Sequence, residues 1–265
     1  MKVVTTRIRS HAVTLMMAIT LAAGGLSAQA QIIYQDDFSG DGGALNGAFP
    51  DIGGTAWAAG SDWYDNGLAA TTVAGSANGQ AAFLPFSPVD NRVYTAEAIV
   101  LNNQPNWIGF GFLPALPAGG DWTATVFSVR HSNAPGYGWM LTRNSTGNDQ
   151  EGFLGGGTAG GQPWNGDNAD PTLPVNIQII LDTSAANWSV SWYINGALKS
   201  SAAYGGIGNP GIGGIGFSHD RNSAANNGGL LSRFELSEVI VPEPSMAALM
   251  GLGLLGVIHR LRRKL

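Results

Sequence analysis

Pairs of carboxylates are the residues that could make this chain an enzyme. Glycoside hydrolysis needs two of them facing one cleft, about 5 to 5.5 Å apart in retaining enzymes, so a strand that supplies both carries acids at alternate positions. Glu97 is the sole acid of its predicted strand, and Glu235 and Glu238, being three apart, point to opposite faces of a regular strand. His131 and His219 lie outside any metal-ligand spacing, and no Gly-x-Ser-x-Gly elbow supplies a nucleophile. The sequence therefore predicts no catalytic residue, and we expect a protein that is not an enzyme.

Acids near the two ends of the chain could instead bind a cation. Asp36 and Asp37 lie near the first strand of the domain, and Glu238 lies in the last predicted strand, residues 230–240. If the two strands meet, their carboxylate and backbone oxygens would suit Ca²⁺. Asp36, Asp37 and Glu238 are therefore the candidate metal ligands, for a structural calcium ion.

Sugar binding uses aromatic faces beside polar groups. The best such cluster is Trp164 with Asn165, Asp167 and Asn168, in a Gly-rich stretch that we interpret as one long surface loop. Weaker candidates are residues 63–66 and 121–122. Tryptophans also fill sandwich cores, and Trp107, Trp188 and Trp192 are expected there.

Strands must position these residues, because the apolar pattern has a period of two and no convincing helical period. Residues 188–194 alternate cleanly and are followed by Asn195-Gly196, which predicts a hairpin with a type I′ turn. Further strands are predicted at residues 92–101, 107–112, 122–130, 138–143, 175–182, 212–218 and 230–240. Short antiparallel strands without covering helices favour an all-β, two-sheet sandwich of the jelly-roll type.

The first 30 residues predict a secretory signal peptide. Three basic residues open the chain, an apolar stretch follows, and Ala28-Gln29-Ala30 provides the small-residue cleavage site, so the mature chain is expected to begin at Gln31. The secretion translocon is the partner that this segment implies. Residues 31–241 then form the predicted ectodomain.

The ectodomain is strongly acidic. Residues 31–241 contain 6 lysines and arginines against 17 aspartates and glutamates, a net charge of −11, whereas the whole chain has −5. Such a domain repels phosphate backbones, so we expect no nucleic-acid partner. The chain has no cysteine, so no disulfide stabilises the fold.

The last 24 residues have three parts in order. Pro242, Glu243 and Pro244 form an extended link, residues 245–258 carry no charge, and residues 259–265 include a basic cluster. Fourteen residues reach about 21 Å as a helix, which is short of a hydrocarbon core of about 30 Å. The positive-inside rule keeps the basic cluster, Arg260, Arg262, Arg263 and Lys264, in the cytoplasm.

This tail resembles the PEP-CTERM sorting domain of exported proteins in Gram-negative bacteria. The resemblance implies that Pro242, Glu243 and Pro244 are the motif read by an exosortase, a membrane protease. It also implies transient insertion in the inner membrane, then delivery to the cell surface or extracellular matrix. An ordinary tail anchor is the alternative.

Residues 36–40, 188–196, 212–219 and 234–239 resemble concanavalin-A-like and laminin-G-like jelly rolls. That resemblance implies glycan or protein binding, sometimes with calcium, and in some branches glycoside hydrolysis. We therefore expect a non-catalytic surface or matrix protein that binds polysaccharide or envelope proteins. The alternatives are a secreted carbohydrate-active enzyme, a glycoside hydrolase or lyase, on the same fold, and a structural protein without a ligand.

Overall fold

The computed structural model describes ten segments of the chain and one isolated residue. They are residues 29–40, 42–72, 81–101, 107–114, 139–143, 150–153, 162–164, 174–206, 208–219 and 230–241, together with Arg260. The predicted strand at residues 122–130 lies outside them.

The described segments form sixteen strands. In chain order they are β1 (Gln31–Asp36), β2 (Gly43–Ala44), β3 (Ala58–Ala59), β4 (Trp63–Asp65), β5 (Ala70–Thr72), β6 (Ala81–Pro85), β7 (Arg92–Leu101), β8 (Trp107–Pro114), β9 (Trp139–Arg143), β10 (Gln150–Phe153), β11 (Gln162–Trp164), β12 (Val175–Asp182), β13 (Ser189–Ile194), β14 (Ala197–Ala203), β15 (Ile212–His219) and β16 (Leu230–Ile240).

These strands build two antiparallel sheets. The first has nine strands in the order β14-β13-β12-β7-β16-β5-β4-β2, with β1 also paired to β16. The second has seven strands in the order β11-β10-β9-β8-β15-β6-β3. The prediction of an all-β, two-sheet sandwich is confirmed, and the architecture is that of a jelly roll.

Alternation explains why the sheets pack face to face. In β12, Val175, Ile177, Ile179 and Leu181 are buried while the residues between them are partly exposed. β13 repeats this pattern, and Trp192 in it and Trp188 just before it are buried as expected. The burial of these apolar faces between two sheets is the main source of stability for a domain without cysteine.

The predicted hairpin joins β13 and β14. Asn195 and Gly196 have φ angles of +48° and +76°, and Ile194 pairs with Ala197 across them. Positive φ at both central positions is the requirement of a type I′ turn, which asparagine and glycine meet at low cost. The sequence therefore identified this turn correctly.

Aromatic rings fill one half of the core. Trp57 lies 5.2 Å from both Phe217 and Phe234, measured between ring centroids, and Trp63 lies 4.8 Å from Phe217. Phe38 completes the group at 6.1 Å from Phe217. We name the end of the sandwich that these five rings occupy the aromatic end.

Candidate functional site

Asp36, predicted as a cation ligand, lies buried beside the aromatic end with 7% of its surface exposed. Trp57 Nε1 donates to its Oδ2 at 2.7 Å, and the Phe38 N–H donates to its Oδ1 at 2.9 Å. Burial raises the pKa of Asp36 to about 6 although both hydrogen bonds favour the charged form, and the charges of Asp51 and Asp65 add to the rise. Both carboxylate oxygens of Asp36 therefore accept hydrogen bonds from within the domain.

Asp37 faces solvent and makes a local turn. Its Oδ1 accepts the Ser39 N–H at 3.0 Å, and its own N–H donates to Asp51 Oδ2 at 3.0 Å. Hydrogen bonds from the side chain and backbone of Ser39 hold the pKa of Asp37 below its usual value. This carboxylate is thus charged and accessible.

The third predicted ligand, Glu238, lies far from the other two. In the β1–β16 register Asp36 stands opposite Phe234, whereas Glu238 stands opposite Gln31. The four residue steps from Phe234 to Glu238 on β16 correspond to about 13 Å along an extended strand. Glu238 is instead 3.5 Å from Arg92 Nε in an ion pair.

The predicted calcium site is therefore not assembled as the sequence suggested. The register does bring the first and last strands together, but it places the acids at different levels of the strand pair. Within the part of the chain that the structure describes, no group of three or more acidic or histidine side chains is arranged to hold a metal ion.

The predicted sugar cluster is split by the boundary of the described residues. Trp164 belongs to β11, where it pairs with Gln150 at the edge of the second sheet. The prediction that Gln162–Trp164 is part of a surface loop is therefore wrong, because these residues add an edge strand to β10. Asn165, Asp167 and Asn168 lie outside the described residues. Of the weaker candidates, Trp63 is buried in the core.

The acids considered for catalysis make hydrogen bonds or ion pairs with other residues of the first sheet. Glu97 accepts a hydrogen bond from Asn176 Nδ2 at 2.8 Å on the neighbouring strand, and Glu235 pairs with Arg233 at 2.7 Å. Glu238 lies three residues further along β16, at the level of buried Tyr94. These contacts are those of ordinary strand residues.

The residues where the predicted signal peptide and the predicted sorting tail join the domain lie at one end of the sandwich. Gln31, at the predicted cleavage site after Ala28 and Ala30, begins β1, and Ala30 is exposed. Val241 follows β16 and its N–H donates to the Asn91 carbonyl at 3.0 Å. Pro242, Glu243, Pro244, Arg262, Arg263 and Lys264 lie outside the described residues. Among those described, no helix is long and apolar enough to cross a membrane, and residues 245–258 are not among them.

A pocket of about 280 Å³ opens at this same end. It is formed by the loop before β7, the loop between β12 and β13, and the turn around Gly208, and we name this end of the sandwich the loop end. The pocket is lined by Asp90, Asn91, Thr183, Ser184, Ala185, Ala186 and Gly208. Its volume is close to the lower limit of known small-molecule sites, about 300 Å³.

Asp90 supplies the charge of the pocket. Its Oδ1 accepts the indole N–H of buried Trp188 at 3.0 Å, which fixes the carboxylate against the core. Among the described residues its Oδ2 has no hydrogen-bond partner, and the residue is exposed. A carboxylate held by one oxygen is oriented to accept a hydrogen bond from a ligand hydroxyl through the other.

The loops around Asp90 are held by their own polar groups. The Thr183 hydroxyl donates to the Val89 carbonyl at 2.7 Å and accepts the Arg92 N–H at 3.0 Å. The Asn91 N–H donates to the Thr183 carbonyl at 3.0 Å, with Asn91 in a left-handed conformation at φ +61°. Such turns favour asparagine and fix the shape of the rim before any ligand arrives.

Sequence reasoning missed this pocket because its three parts are distant in the chain. Asp90 and Ser184 are separated by more than ninety positions, and each part looks like ordinary turn sequence. A signal in the sequence was Asp90-Asn91 directly before the predicted strand at residues 92–101, together with Trp188 at the start of the predicted hairpin.

Comparison with protein families identifies the tail. Residues 241–264 match the family model of the PEP-CTERM protein-sorting motif. The C-terminus of the chain thus carries the sorting motif that its sequence resembled. This motif marks proteins that are exported, processed at the membrane by an exosortase, and delivered to the cell surface or beyond it. No curated protein matches the sequence.

Solved structures share the fold of the domain. An endo-1,3-beta-glucanase from Streptomyces sioyaensis is 13% identical over 80% of this chain and 97% of its own, with a TM-score of 0.51. An alginate lyase in complex with an alginate trisaccharide is 8% identical over 81% of this chain and 99% of its own, with a TM-score of 0.51. The potassium-bound carbohydrate recognition domain of Emp46p is 13% identical over 68% of this chain and 87% of its own, with a TM-score of 0.47. At these identities the likeness to the glucanase and to the alginate lyase shows the fold alone.

Proposed function

We propose that this exported protein is a non-catalytic component of the cell surface or matrix, and that its domain binds a neutral polysaccharide at the loop-end pocket. The observation that carries the proposal is that the described part of the protein binds only one of the two carboxylate oxygens of Asp90. One oxygen is fixed by Trp188, so the other can accept a sugar hydroxyl with little loss of side-chain entropy.

The remaining lining suits a sugar as well. Ser184 and the backbone of the rim offer polar groups, while Ala185 and Ala186 offer small apolar contacts for the C–H face of a sugar ring. Because the domain carries a net charge of −11, a polyanion would be repelled and a neutral polymer would not.

Catalysis is the alternative on this fold, and the pocket argues against it. Asp90 is the single carboxylate of its lining, whereas glycoside hydrolysis needs two. An enzyme would therefore need a second acid from outside this lining. Binding to another envelope protein is the other alternative and predicts no affinity for any glycan.

The test uses purified residues 31–241, which contain the whole described core. The domain is screened on a glycan array and then titrated with soluble 1,3-β-glucan as the neutral polymer and with alginate as the anionic one. We expect binding to a neutral glycan, none to alginate, and no release of reducing ends.

Two matched variants identify the site. Asp90→Asn keeps the acceptor for Trp188 but converts the free oxygen to an N–H donor, so affinity for the neutral glycan should fall about 10- to 100-fold, since a hydrogen bond to a charged group contributes about 1.5 to 3 kcal/mol. Asp62→Asn removes an acid at the opposite end and should leave affinity unchanged. Absence of binding to every glycan would sink the proposal, and newly formed reducing ends would identify an enzyme.

A further inference from the structure

The first and last strands of the domain both have a terminus at the end of the sandwich where the pocket opens. Gln31 pairs with Glu238, three residues before Val241, so Gln31 and Val241 both lie at the loop end. The Val241 N–H is bonded at 3.0 Å to the carbonyl of Asn91, and Asn91 is itself part of the pocket lining. The tail therefore begins one hydrogen bond away from the pocket rim.

The tail gives this end very little distance from the membrane. Four residue steps separate Val241 from Ser245, where the uncharged segment starts, and they span at most about 14 Å when fully extended. The headgroup layer on one side of a bilayer takes up about 5 to 8 Å of that reach. The gap left at the pocket rim is thus less than about 10 Å, which is the separation of two stacked sheets.

We propose that the loop-end pocket lies against the membrane while the sorting tail is attached, and that exosortase processing opens it to polymeric ligands. The proposal rests on the proposed function for what the pocket binds, but its geometric part does not. The hydrogen bond from Val241 to the rim residue Asn91 keeps the start of the link at the pocket rim. Polysaccharide binding is consequently a property of the processed protein, which prevents the precursor from capturing matrix polymer at the inner membrane.

Cysteine labelling tests the geometry without a ligand, since the natural chain has no cysteine. Ala185→Cys places a single thiol in the pocket lining, and Leu198→Cys places one on an exposed residue, 56% accessible, near the hairpin turn at the opposite end. The full chain with its tail is inserted in phospholipid vesicles. Each variant is treated with a small maleimide or with a maleimide carrying a long polyethylene glycol chain.

The matched control is the same chain with twelve glycine and serine residues inserted between Val241 and Pro242, which adds about 19 Å of root-mean-square reach. With the natural link, we expect the long reagent to modify the Ala185→Cys variant about ten times more slowly than it does in the insertion variant. The small reagent should react equally with both. The Leu198→Cys variant should react at one rate in every form.

The outcomes separate this inference from the proposed function. Equal modification of Ala185→Cys by the long reagent with and without the insertion would overturn the inference and leave glycan binding by the isolated domain untouched. Equal slowing of Leu198→Cys would overturn it too, because the shielding would not be confined to the loop end. If the isolated domain bound no glycan while the labelling difference held, the proposed function would fail and the membrane-facing orientation would stand.

Discussion

The two ends of the sandwich use a carboxylate–indole contact in opposite ways. At the aromatic end, Asp36 is buried and both of its oxygens accept hydrogen bonds from the protein, one of them from Trp57. At the loop end, Asp90 is exposed and gives one oxygen to Trp188. An aspartate paired with a tryptophan therefore has both oxygens hydrogen-bonded within the protein at the aromatic end, and leaves one oxygen free to accept at the loop end.

From this difference we expect Asp36 to contribute to stability and Asp90 to contribute to ligand binding. A carboxylate whose acceptors are all used inside the protein has nothing to offer a ligand, and losing its donor would leave a buried charge without compensation. A carboxylate with one free oxygen can bind a ligand and should be dispensable for folding. The following variants test that division.

The largest effect is expected from Trp57→Ala. The change removes a fully buried indole that contacts Phe217 and Phe234 and deprives Asp36 of its donor, so the free energy of unfolding should fall by about 3 to 5 kcal/mol. Denaturant unfolding of the purified domain measures this loss. Trp57→Phe, which keeps a ring without the N–H, should recover part of it. A loss below about 1 kcal/mol for the alanine variant would contradict the role of the aromatic end.

Asp36→Asn should change how stability depends on pH. The folded protein holds the Asp36 proton up to a pKa of about 6, whereas the unfolded chain releases it near 3.8, so this group lowers stability as pH rises from about 4 to about 6 and has no further effect above that. After allowance for solvent screening, the difference is roughly 1 kcal/mol.

The measurement compares denaturation midpoints of the natural protein and of the Asp36→Asn variant at about pH 4.5 and about pH 7.5, on either side of the raised pKa. Other acids titrate in both proteins, so the difference between their pH profiles isolates Asp36. Identical profiles would show that the pKa of Asp36 is not raised in the folded domain.

Tyr204→Phe should have the opposite sign to Trp57→Ala. Tyr204 is buried near the loop end, where its N–H bonds to the Trp188 carbonyl, and its hydroxyl has no hydrogen-bond partner in the described structure. Burial raises the pKa of Tyr204 above its usual value, so the residue stays neutral. Removing an unsatisfied hydroxyl should raise the free energy of unfolding by about 1 kcal/mol, as measured by thermal or denaturant unfolding. A destabilised variant would mean that this hydroxyl has a partner.

The smallest effect on stability is expected from Asp90→Asn. Because the residue is exposed and its Trp188 contact is kept, the free energy of unfolding should change by less than about 0.5 kcal/mol while glycan affinity falls. Stability and affinity are measured on the same protein preparation. Loss of both together would show that the loop end contributes to folding as the aromatic end does.

The sequence identified the elements whose signals are local. The alternation of residues 175–182 and the Asn195-Gly196 turn specified β12 and the β13–β14 hairpin, since burial on one face and positive φ each leave a direct mark on residue type. Strands β2 and β3 have two residues each, which is too few for an alternating pattern to be recognised. Their place in a sheet depends on partners elsewhere in the chain.

The candidate site was less accessible to sequence reasoning. Asp36 looked like a cation ligand because its donor, Trp57, lies 21 positions further on. Asp90 was not among the predicted site residues, because its contacts Trp188 and the loop at Thr183 are more than ninety positions away. Carboxylates have the same appearance in a sequence whether their oxygens are used or free, and long-range hydrogen bonds decide which they are.

The pairing of β1 with β16 also determines how the precursor responds to mechanical force. Because Gln31 and Val241 leave at the same end, a pull between the two would load the β1–β16 hydrogen bonds one after another, beginning at the Gln31–Glu238 pair. Strands that are opened in this sequential way resist much less than strands sheared along their length. If the predicted signal peptide is cleaved before the tail engages the membrane, no such pull acts on the domain and the first strand remains paired with β16.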